Sequence, residues 1–418
     1  MLGWLLATCQ GGMIPMKHTK RAAAALCSAA LLVAALTGCA QNGVPEASKY
    51  QTEDIISKFT DGAVTRDTEF LTVDGESIPA ENLLYWATYG CDYISAYYYG
   101  SSDNIPWDTT TQSGQTMTEY ILSDAQNTAK MYRLLETHCA EKGVVLSDED
   151  KANLLANCVD AQVEKLGGDE QFKEWLNQIG LSYSAYYKLN SIQYLYQNYL
   201  KVLTDEEIDQ YIADNELYRV KHILISTKDS NGNEMSESDK AAAKQQAENL
   251  LAQLRESDDP ITLFDTLMNE YSEDPGLSSY PDGYVASPGD MVEEFETASL
   301  ALEENAISDI VESKNGYHII LRLDADCDET RSAYFDTVLD GWMDSATVVT
   351  SAAYQTFDLK TFYTNLTAYR ASLQEAKETD SPSETDTASP SETDTAAPSE
   401  SVQPEETDSP DPTETPAG

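Results

Sequence analysis

The sequence predicts an α+β fold in which a mostly helical body is interrupted by a small domain built on an antiparallel sheet. Two observations carry this prediction. Apolar residues recur at helical spacing through residues 69–217 and again through residues 329–376. Between these stretches, the apolar runs 218–226 and 316–323 have the length and composition of strands. The closing helices hold too few apolar residues to fold alone, so we expect them to pack on the first helical half.

Composition limits the kinds of partner that the chain can have. Its 418 residues suggest two or three domains, and a hydrophobic content of 41% is enough for real cores. The formal net charge of -46 opposes binding to nucleic acid, whose phosphates require lysine and arginine. It also opposes electrostatic adhesion to anionic lipid. We therefore expect no nucleic-acid partner.

The first 38 residues have the pattern of an export signal peptide. A basic segment with Lys17, Lys20 and Arg21 precedes an apolar run, 22–35, that is too short to span a membrane. The next five residues, Leu-Thr-Gly-Cys-Ala, resemble the bacterial lipobox. That resemblance implies cleavage before Cys39 and a lipid on this cysteine, which would anchor the protein on the outer face of the membrane. The alternative is a short core helix with a chance cysteine.

Four cysteines remain beyond the lipobox: Cys91, Cys139, Cys158 and Cys327. In an oxidising compartment they could form two disulfides, and packed free thiols are an equal alternative. None has Cys-x-x-Cys spacing or the pairing of a zinc site, so no metal site is predicted.

A polar tether is expected over residues 39–68, followed by the helical half over residues 69–217. This half opens with a strand and a turn at Asp74-Gly75, and a helix begins after Pro79. Apolar spacing, serine or threonine caps and terminal glycines identify the other helices. They cover residues 117–142, 148–166, 169–179 and 183–202, and a capping box at Thr204-Asp205-Glu206-Glu207 opens a short sixth.

Tyrosines recur every four residues along the first of these helices, at Tyr85, Tyr89, Tyr93 and Tyr97. The spacing places them along one helical face. Two interpretations stay open at this point. The tyrosines either pack in the core with their hydroxyl groups at its rim, or they form an aromatic groove for unfolded segments.

Residues 218–326 are predicted to form the inserted domain, with the element order β-α-α-β-α-β. Its strands cover 218–226 and 316–323, and its helices cover 237–256, 261–271 and 293–302. Two of the four histidines of the chain, His222 and His318, lie inside the two strands.

This ordered set of residues resembles the parvulin family of peptidyl-prolyl isomerases over about 105 residues. By that resemblance, His222 and His318 lie back to back on adjacent strands and share hydrogen bonds with Asp274, and the three form a catalytic floor. Met291 and Phe295 would line the slot that holds the proline ring of the substrate. A further residue, Asn315, falls where the family often has a small hydroxyl residue, which implies a substrate-binding position.

Each of these residues also has an ordinary structural interpretation, as a core or turn residue, but their joint order and spacing favour the site. The chain departs from the family in one loop. Where many parvulins have Gly-Gly-Asp-Leu-Gly, it has Tyr-Pro-Asp-Gly-Tyr-Val at 280–285, beside the expected pocket. Residues 228–239 hold one lysine and several acids, so phosphorylated substrates are not expected.

Residues 327–377 are predicted to be returning helices, and residues 378–418 a disordered acidic tail with twelve acidic and no basic residues. The order of leader, helical half, parvulin insert and returning helices resembles that of PrsA-type foldase lipoproteins and, in plan, of SurA chaperones.

The resemblance implies a membrane-anchored extracytoplasmic foldase that isomerises Xaa–Pro bonds in unfolded or partly folded exported polypeptides, without metal or cofactor. The alternative is a holdase chaperone whose parvulin-fold module binds peptides without turnover. A transporter's substrate-binding lipoprotein is disfavoured, because the chain lacks repeated β-α-β units. The sequence leaves the oligomeric state open, with a homodimer as one option.

Overall fold

A computed structural model of the chain describes residues 44–111 and 114–380, and only the backbone of residues 377–380. The predicted signal peptide, the predicted lipid on Cys39 and the predicted tail from residue 381 onward lie outside the described residues. No helix in the described ranges is both long and apolar enough to cross a membrane.

The described residues divide into two units, one that ends at Arg370 and one that begins at Ala371. The described part of the second unit is the end of the last helix. The first unit contains a helical body and an inserted sheet domain, so the fold class predicted from the sequence is confirmed.

The helical body is built first from elements that precede the insert: α1 (Ile55–Phe59), β1 (Glu69–Val73), β2 (Glu76–Pro79), α2 (Ala80–Ile94), α3 (Met117–Glu141), α4 (Asp148–Leu154), α5 (Ala161–Leu166), α6 (Asp169–Ile179), α7 (Tyr183–Lys201) and α8 (Asp205–Asp214). The insert comprises β3 (Tyr218–Ser226), α9 (Glu237–Glu256), α10 (Pro260–Tyr271), β4 (Tyr284–Ala286), α11 (Glu293–Ala301), β5 (Val311–Ser313) and β6 (Gly316–Leu323). The chain then returns to the body through α12 (Asp328–Ser345), β7 (Val348–Thr350), α13 (Ala352–Gln355) and α14 (Leu359–Asp380).

Local capping explains why the helix boundaries agree closely with the sequence prediction. Complete capping boxes open three helices, with Thr116 before α3, Ser147 before α4 and Thr204 before α8. Each hydroxyl accepts a backbone hydrogen bond, and the acidic side chain three residues later accepts one in return. Two π-helical turns, Ser95–Tyr99 and Leu155–Asp160, were not predicted; the second divides one predicted helix into α4 and α5.

The returning segment completes the core of the helical body, as expected. Leu359, Phe362 and Leu366 of α14 are buried in one cluster with residues of β1 and α2, such as Phe70 and Leu83. Strand β7 was not predicted: it adds a third strand to the β1–β2 hairpin by pairing antiparallel with β1. The first and last parts of the body therefore share one sheet and one core.

The polar tether expected over residues 39–68 is not observed in its described part, residues 44–68, which packs on the body. Tyr50 is buried against Phe172 and Tyr183, and its hydroxyl donates a hydrogen bond to Asp169 at 2.8 Å. Helix α1 lies within the same range and buries two isoleucines. The apolar residues of this segment are too few and too scattered to give a periodic signal. Tyr50, Ile55 and Ile56 are nevertheless buried in the body.

The tyrosines of α2 do not form its core face, which is made of residues such as Leu83, Ala87 and Cys91. Tyr97 lies in the π-helical turn beyond α2, and it and Tyr98 are each 70% exposed. The core-packing interpretation is therefore wrong for this end of the stripe.

The four cysteines that lie within the described residues are all free thiols. Three of them are buried, at Cys91, Cys139 and Cys158. This structure has the free-thiol alternative, with no disulfide among these four cysteines.

The insert is a four-stranded antiparallel sheet in the order β4-β3-β6-β5. Helices α9 and α10 cover one face of the sheet, where Ile223, Ile319 and Leu321 are buried among leucines of α9 and Phe264 of α10. The other face carries a smaller cluster around Val220, Ile320 and Phe295 of α11. One face thus serves the main core, while the other is left for side chains of the site.

One arginine links the segment that follows the insert to the start of α8, the last helix before the insert. The Arg331 guanidinium, in α12, donates hydrogen bonds to Asp326 just after the insert. It also donates to the Leu203 carbonyl at 3.1 Å and to Asp205 at 3.0 Å, at the start of α8. Hydrogen bonds and opposite charges around the guanidinium raise the pKa of Arg331, so the clamp stays charged.

We predict that Gly316→Ala destabilises the insert by about 2 kcal/mol or more, because Gly316 has φ +145° and an added Cβ would overlap the Ile225 carbonyl of β3. Gly341→Ala in α12 is the matched control. It meets no atom within 4 Å and should stabilise its helix by up to about 1 kcal/mol. Hydrogen exchange of the β6 amides, together with urea unfolding, measures both effects. Equal exchange in Gly316→Ala and the unchanged protein would contradict the strain at this position.

Candidate active site

The register of β3 against β6 places the two histidines on one face of the sheet. His222 pairs with Ile320, and His318 pairs with Leu224, so the histidines are diagonal neighbours. Because side chains alternate between faces along a strand, Ile223 and Ile319 point into the core under α9 and α10. The apolar alternation that builds the core therefore also directs both imidazoles to the opposite face.

The two imidazoles are in direct contact. Their Nδ1 atoms are 3.1 Å apart, and the rings are stacked with centroids 5.3 Å apart. His318 is almost completely buried, with 3% of its surface exposed, and His222 is only slightly more accessible. One of the two Nδ1 atoms must carry the hydrogen, since two bare nitrogens would repel each other.

Asp274 reaches this pair from the turn after α10. Its Oδ2 atom lies 3.1 Å from His222 Nε2, and its Oδ1 atom accepts a hydrogen bond from the Gly276 backbone at 3.2 Å. The preceding residues hold the turn against the strand: Leu224 N–H donates to Ser272 Oγ, and Glu273 N–H donates to the Leu224 carbonyl at 2.8 Å. The carboxylate is thus positioned by backbone contacts with β3.

The predicted substrate-binding residues are placed differently from one another. Phe295 of α11 is buried with its ring edge-on to both imidazoles, at centroid distances of 5.1 Å from His222 and 5.2 Å from His318. Met291 packs in the same apolar cluster as Phe295 and precedes α11. Phe295 therefore borders the histidine pair, and Met291 belongs to the apolar cluster around Phe295.

Asn315 joins the site only through its backbone, donating from its N–H to Ser313 Oγ at 3.1 Å. The hydroxyl that contacts a histidine belongs to Ser313, 2.7 Å from His318 Nε2. Sequence reasoning missed Ser313, although it lies five residues before His318 on the β5–β6 hairpin. A second missed residue is Tyr284, whose hydroxyl donates to Asp274 Oδ2 at 2.5 Å from the first position of β4.

The charges of the site fix the direction of its hydrogen bonds. Burial alone would raise the pKa of Asp274, but hydrogen bonds from His222 and Tyr284 lower this pKa to about 2. The ionised carboxylate can only accept, so His222 Nε2 carries a hydrogen. Burial and the neighbouring His222 lower the pKa of His318 to about 4, so this ring is neutral at physiological pH.

When each ring carries one hydrogen, only one arrangement satisfies every contact. His222 donates from Nε2 to Asp274, which leaves its Nδ1 to accept from His318 Nδ1. His318 Nε2 is then an acceptor, and it receives the hydroxyl hydrogen of Ser313. The result is a directional chain of hydrogen bonds in a nearly dry site, which can hold a fixed electric field but has no spare proton to exchange.

Comparison with known proteins identifies the insert. Residues 222–324 match the sequence model of the family described as Rotamase: PPIC-type PPIASE domain. The chain contains a PPIC-type peptidyl-prolyl isomerase domain. The resemblance to parvulins predicted from the sequence is confirmed by this match.

Proteins that match a longer part of this chain than the insert alone are named as foldases. A foldase protein PrsA of Staphylococcus aureus strain MRSA252 is 33% identical over 186 residues, which cover 42% of this chain and 55% of that relative. This chain therefore spans about half the length of the curated relatives that it matches.

Among solved structures, PrsA from Bacillus subtilis matches 62% of this chain and 91% of its own, at 21% identity and a TM-score of 0.25. A SurA-like chaperone of Campylobacter jejuni matches 76% of this chain and 100% of its own, at 16% identity and a TM-score of 0.21.

We predict that His318 stays neutral well below the pH at which an ordinary histidine titrates, near pH 6.5. Its imidazole carbon resonance should keep the neutral-state shift down to about pH 5, because the folded-state pKa lies near 4. NMR titration of a chain with four histidines, assigned with His318→Asn, measures this directly. In Asp274→Asn the pKa should fall further, since the carboxylate favours the charged ring. A midpoint near pH 6.5 would contradict the buried, directional network.

Proposed function

We propose that this protein is an extracytoplasmic foldase, anchored to the membrane by a lipid on Cys39, that catalyses cis–trans isomerisation of Xaa–Pro bonds in exported polypeptides. The observation that carries the proposal is the network of His222, His318 and Asp274, with Phe295 edge-on to both imidazoles and Met291 in the apolar cluster around Phe295. We assign His222, Asp274 and His318 as the catalytic floor and Met291 and Phe295 as the proline pocket.

The reaction itself explains why such a site would suffice. Amide resonance sets a rotation barrier of about 18–20 kcal/mol, and the transition state is a twisted amide that has lost this resonance. The planar amide carries more negative charge on its oxygen than the twisted form does. An environment that solvates the planar form poorly therefore lowers the barrier, because it favours the less polar state. No bond to the protein has to form.

Each residue of the site has a place in this scheme. Phe295 and Met291 offer an apolar surface for the proline ring and exclude water from the peptide bond. The ionised Asp274 sets a negative potential beside the substrate carbonyl, which disfavours the planar amide and its charged oxygen. The histidines hold that carboxylate in place and close the floor of the site to water.

The helical body would hold the polypeptide while its prolines are processed. Supporting this part of the proposal, Tyr97 and Tyr98 expose broad aromatic surface at the end of α2, and Tyr93 stacks beside them. Tyrosine gives large contact area with an adaptable polar tip, which suits clients of varied sequence. The strongly acidic composition keeps such a protein soluble beside unfolded clients.

We predict that the protein lacking residues 1–39 accelerates cis-to-trans conversion of Xaa–Pro peptides. His222→Ala and Asp274→Ala should each lower kcat/KM by about tenfold or more, since each removes a fixed charge or hydrogen bond of the floor. Protease-coupled or NMR exchange assays measure the rate. His138→Ala is the matched control, because this histidine lies on α3 of the helical body and stacks on Trp342 there.

Two outcomes separate the proposal from its alternative. If a folded protein gives no acceleration but still suppresses aggregation of an unfolded client, the insert is a peptide-binding module of a holdase. If acceleration is lost in both site variants while aggregation suppression remains, the isomerase and the holding activity belong to different parts of the chain.

We predict that the lipid depends on Cys39. A bacterium expressing the full chain and fed labelled palmitate should label the unchanged protein and the Cys27→Ser variant, but not the Cys39→Ser variant. Cys27 is the matched control because it lies in the same leader. Label that persists in Cys39→Ser, or membrane fractionation that does not change, would contradict the anchor.

A further inference from the structure

The loop that departs from the parvulin pattern brings a tyrosine into the site. Tyr284 opens β4 and pairs with Val220 of β3, so its side chain lies on the same face of the sheet as His222, two residues farther along β3. Its hydroxyl is 2.5 Å from Asp274 Oδ2, the same oxygen that lies 3.1 Å from His222 Nε2. One carboxylate oxygen is therefore shared between the phenol and the imidazole.

Space for this phenol is made by a glycine. A Cβ placed on Gly276 would overlap the Tyr284 hydroxyl oxygen and would lie 3.2 Å from the adjoining ring carbon. Gly276 itself donates its backbone N–H to Asp274 Oδ1. This one residue thus clears the approach of the phenol and holds the other carboxylate oxygen.

A second glycine fixes the position of the strand that carries Tyr284. Gly283 has φ +101°, and a Cβ there would lie 2.7 Å from the Val220 carbonyl oxygen. The loop can approach β3 so closely only without a side chain. On the outer side, Tyr280 stacks on the Tyr284 ring at a centroid distance of 4.8 Å. The loop therefore sets the position of Tyr284 through Gly283 and covers its ring with Tyr280.

The hydroxyl is a hydrogen-bond donor at physiological pH. Burial and the adjacent Asp274 raise the pKa of Tyr284, so the phenol stays protonated. The groups that face Asp274 are then His222 from β3, Tyr284 from β4 and the Gly276 N–H, with His318 of β6 behind His222. No other side chain of the described residues donates to this carboxylate. If the phenol were removed, the carboxylate would keep two of its three donors and could turn away from His222.

We propose that Tyr284 is a positioning residue of this site: its hydroxyl holds the Asp274 carboxylate against His222, and Gly276 is the residue that makes room for it. The proposal rests on the isomerase function proposed above. Tyr284 acts through Asp274 and does not touch the substrate, so its loss should lower kcat and leave KM unchanged.

The test is a double-mutant cycle with Tyr284→Phe, Gly276→Ala and both changes together. Tyr284→Phe keeps the ring and removes only the donor, while Gly276→Ala displaces the hydroxyl by adding a methyl group. Each should lower kcat by about tenfold, the size expected for a hydrogen bond to a charged group. If both act by breaking the same bond, the double variant should match Tyr284→Phe within about twofold. Tyr271→Phe is the control, since this exposed tyrosine lies three residues before Asp274.

A second readout does not depend on activity. NMR titration of the Asp274 carboxyl carbon should show a higher pKa in Tyr284→Phe, because the phenol lowers that pKa in the unchanged protein. If the unchanged protein fails to isomerise peptides, the proposed function falls, and this titration still decides the role of Tyr284. If Gly276→Ala does not fold, Tyr284→Phe alone decides by the same titration.

Three results would overturn the proposal. They are an Asp274 pKa that does not change in Tyr284→Phe, a kcat for that variant within twofold of the unchanged protein, and a double variant whose loss is the product of the two single losses. Additive losses would mean that Gly276 matters for the turn and not for the phenol.

Discussion

The antiparallel register between β3 and β6 is the constraint on which the insert depends. Pairing runs without interruption from Arg219 with Leu323 to Ser226 with Gly316. Because side chains alternate with a period of two, a slip of one residue would turn His318 into the core under α9 and α10 and expose Ile319. Burial of the isoleucines therefore stabilises the same register that assembles the site. The core of the insert and its site therefore depend on the same strand pairing.

A comparable constraint closes the helical body around the insert. Strand β7 pairs with β1, with Leu71 opposite Thr350, although the two strands lie near opposite ends of the body in sequence. Arg370 donates to both oxygens of Asp92 in α2 and to the Gln178 carbonyl, while the Tyr363 hydroxyl donates to the same aspartate. Since these contacts join residues from both sides of the insert, the body cannot be complete until the chain beyond the insert has been made. Arg331 adds a further link, from the segment that follows the insert to the start of α8.

How much could be read from the sequence depended on whether the deciding contact was local. The capping boxes at Thr116 and Thr204 lie within four residues of sequence, and the helices that they open were predicted closely. The three residues of β7 are a strand only because β1 lies beside them, and no local pattern contains that partner. Tyr50 was missed for the same reason, since its contacts with Phe172 and Tyr183 come from a distant helix pair.

The residues of the site also divide into those that the sequence could identify and those that it could not. The resemblance to parvulins named His222, His318 and Asp274, and the structure brings these three together. It could not name Tyr284, because there the chain departs from the family pattern, and the loop could be recognised only as different. The alternation of Tyr284 and Ala286 is typical of a strand, but three residues are too few for alternation to identify one. The family pattern placed the small hydroxyl residue at position 315, where this chain has Asn315, so it did not identify Ser313 two residues earlier.

The pairing of Ser313 with His318 has the distance of a nucleophile and its base, so a hydrolase has to be weighed against an isomerase. A serine hydrolase needs a histidine that can take up a proton, with a carboxylate on its other nitrogen to stabilise the imidazolium. His318 instead turns its Nδ1 to His222, and burial together with that neighbour lowers its pKa to about 4. Forming an imidazolium there would oppose both effects. The Asp274 carboxylate contacts His222 instead, so the His222 ring separates it from His318, and there it sets the direction of the hydrogen bonds. The network is therefore built to keep its protons in place, which suits a reaction that rotates a bond and breaks none.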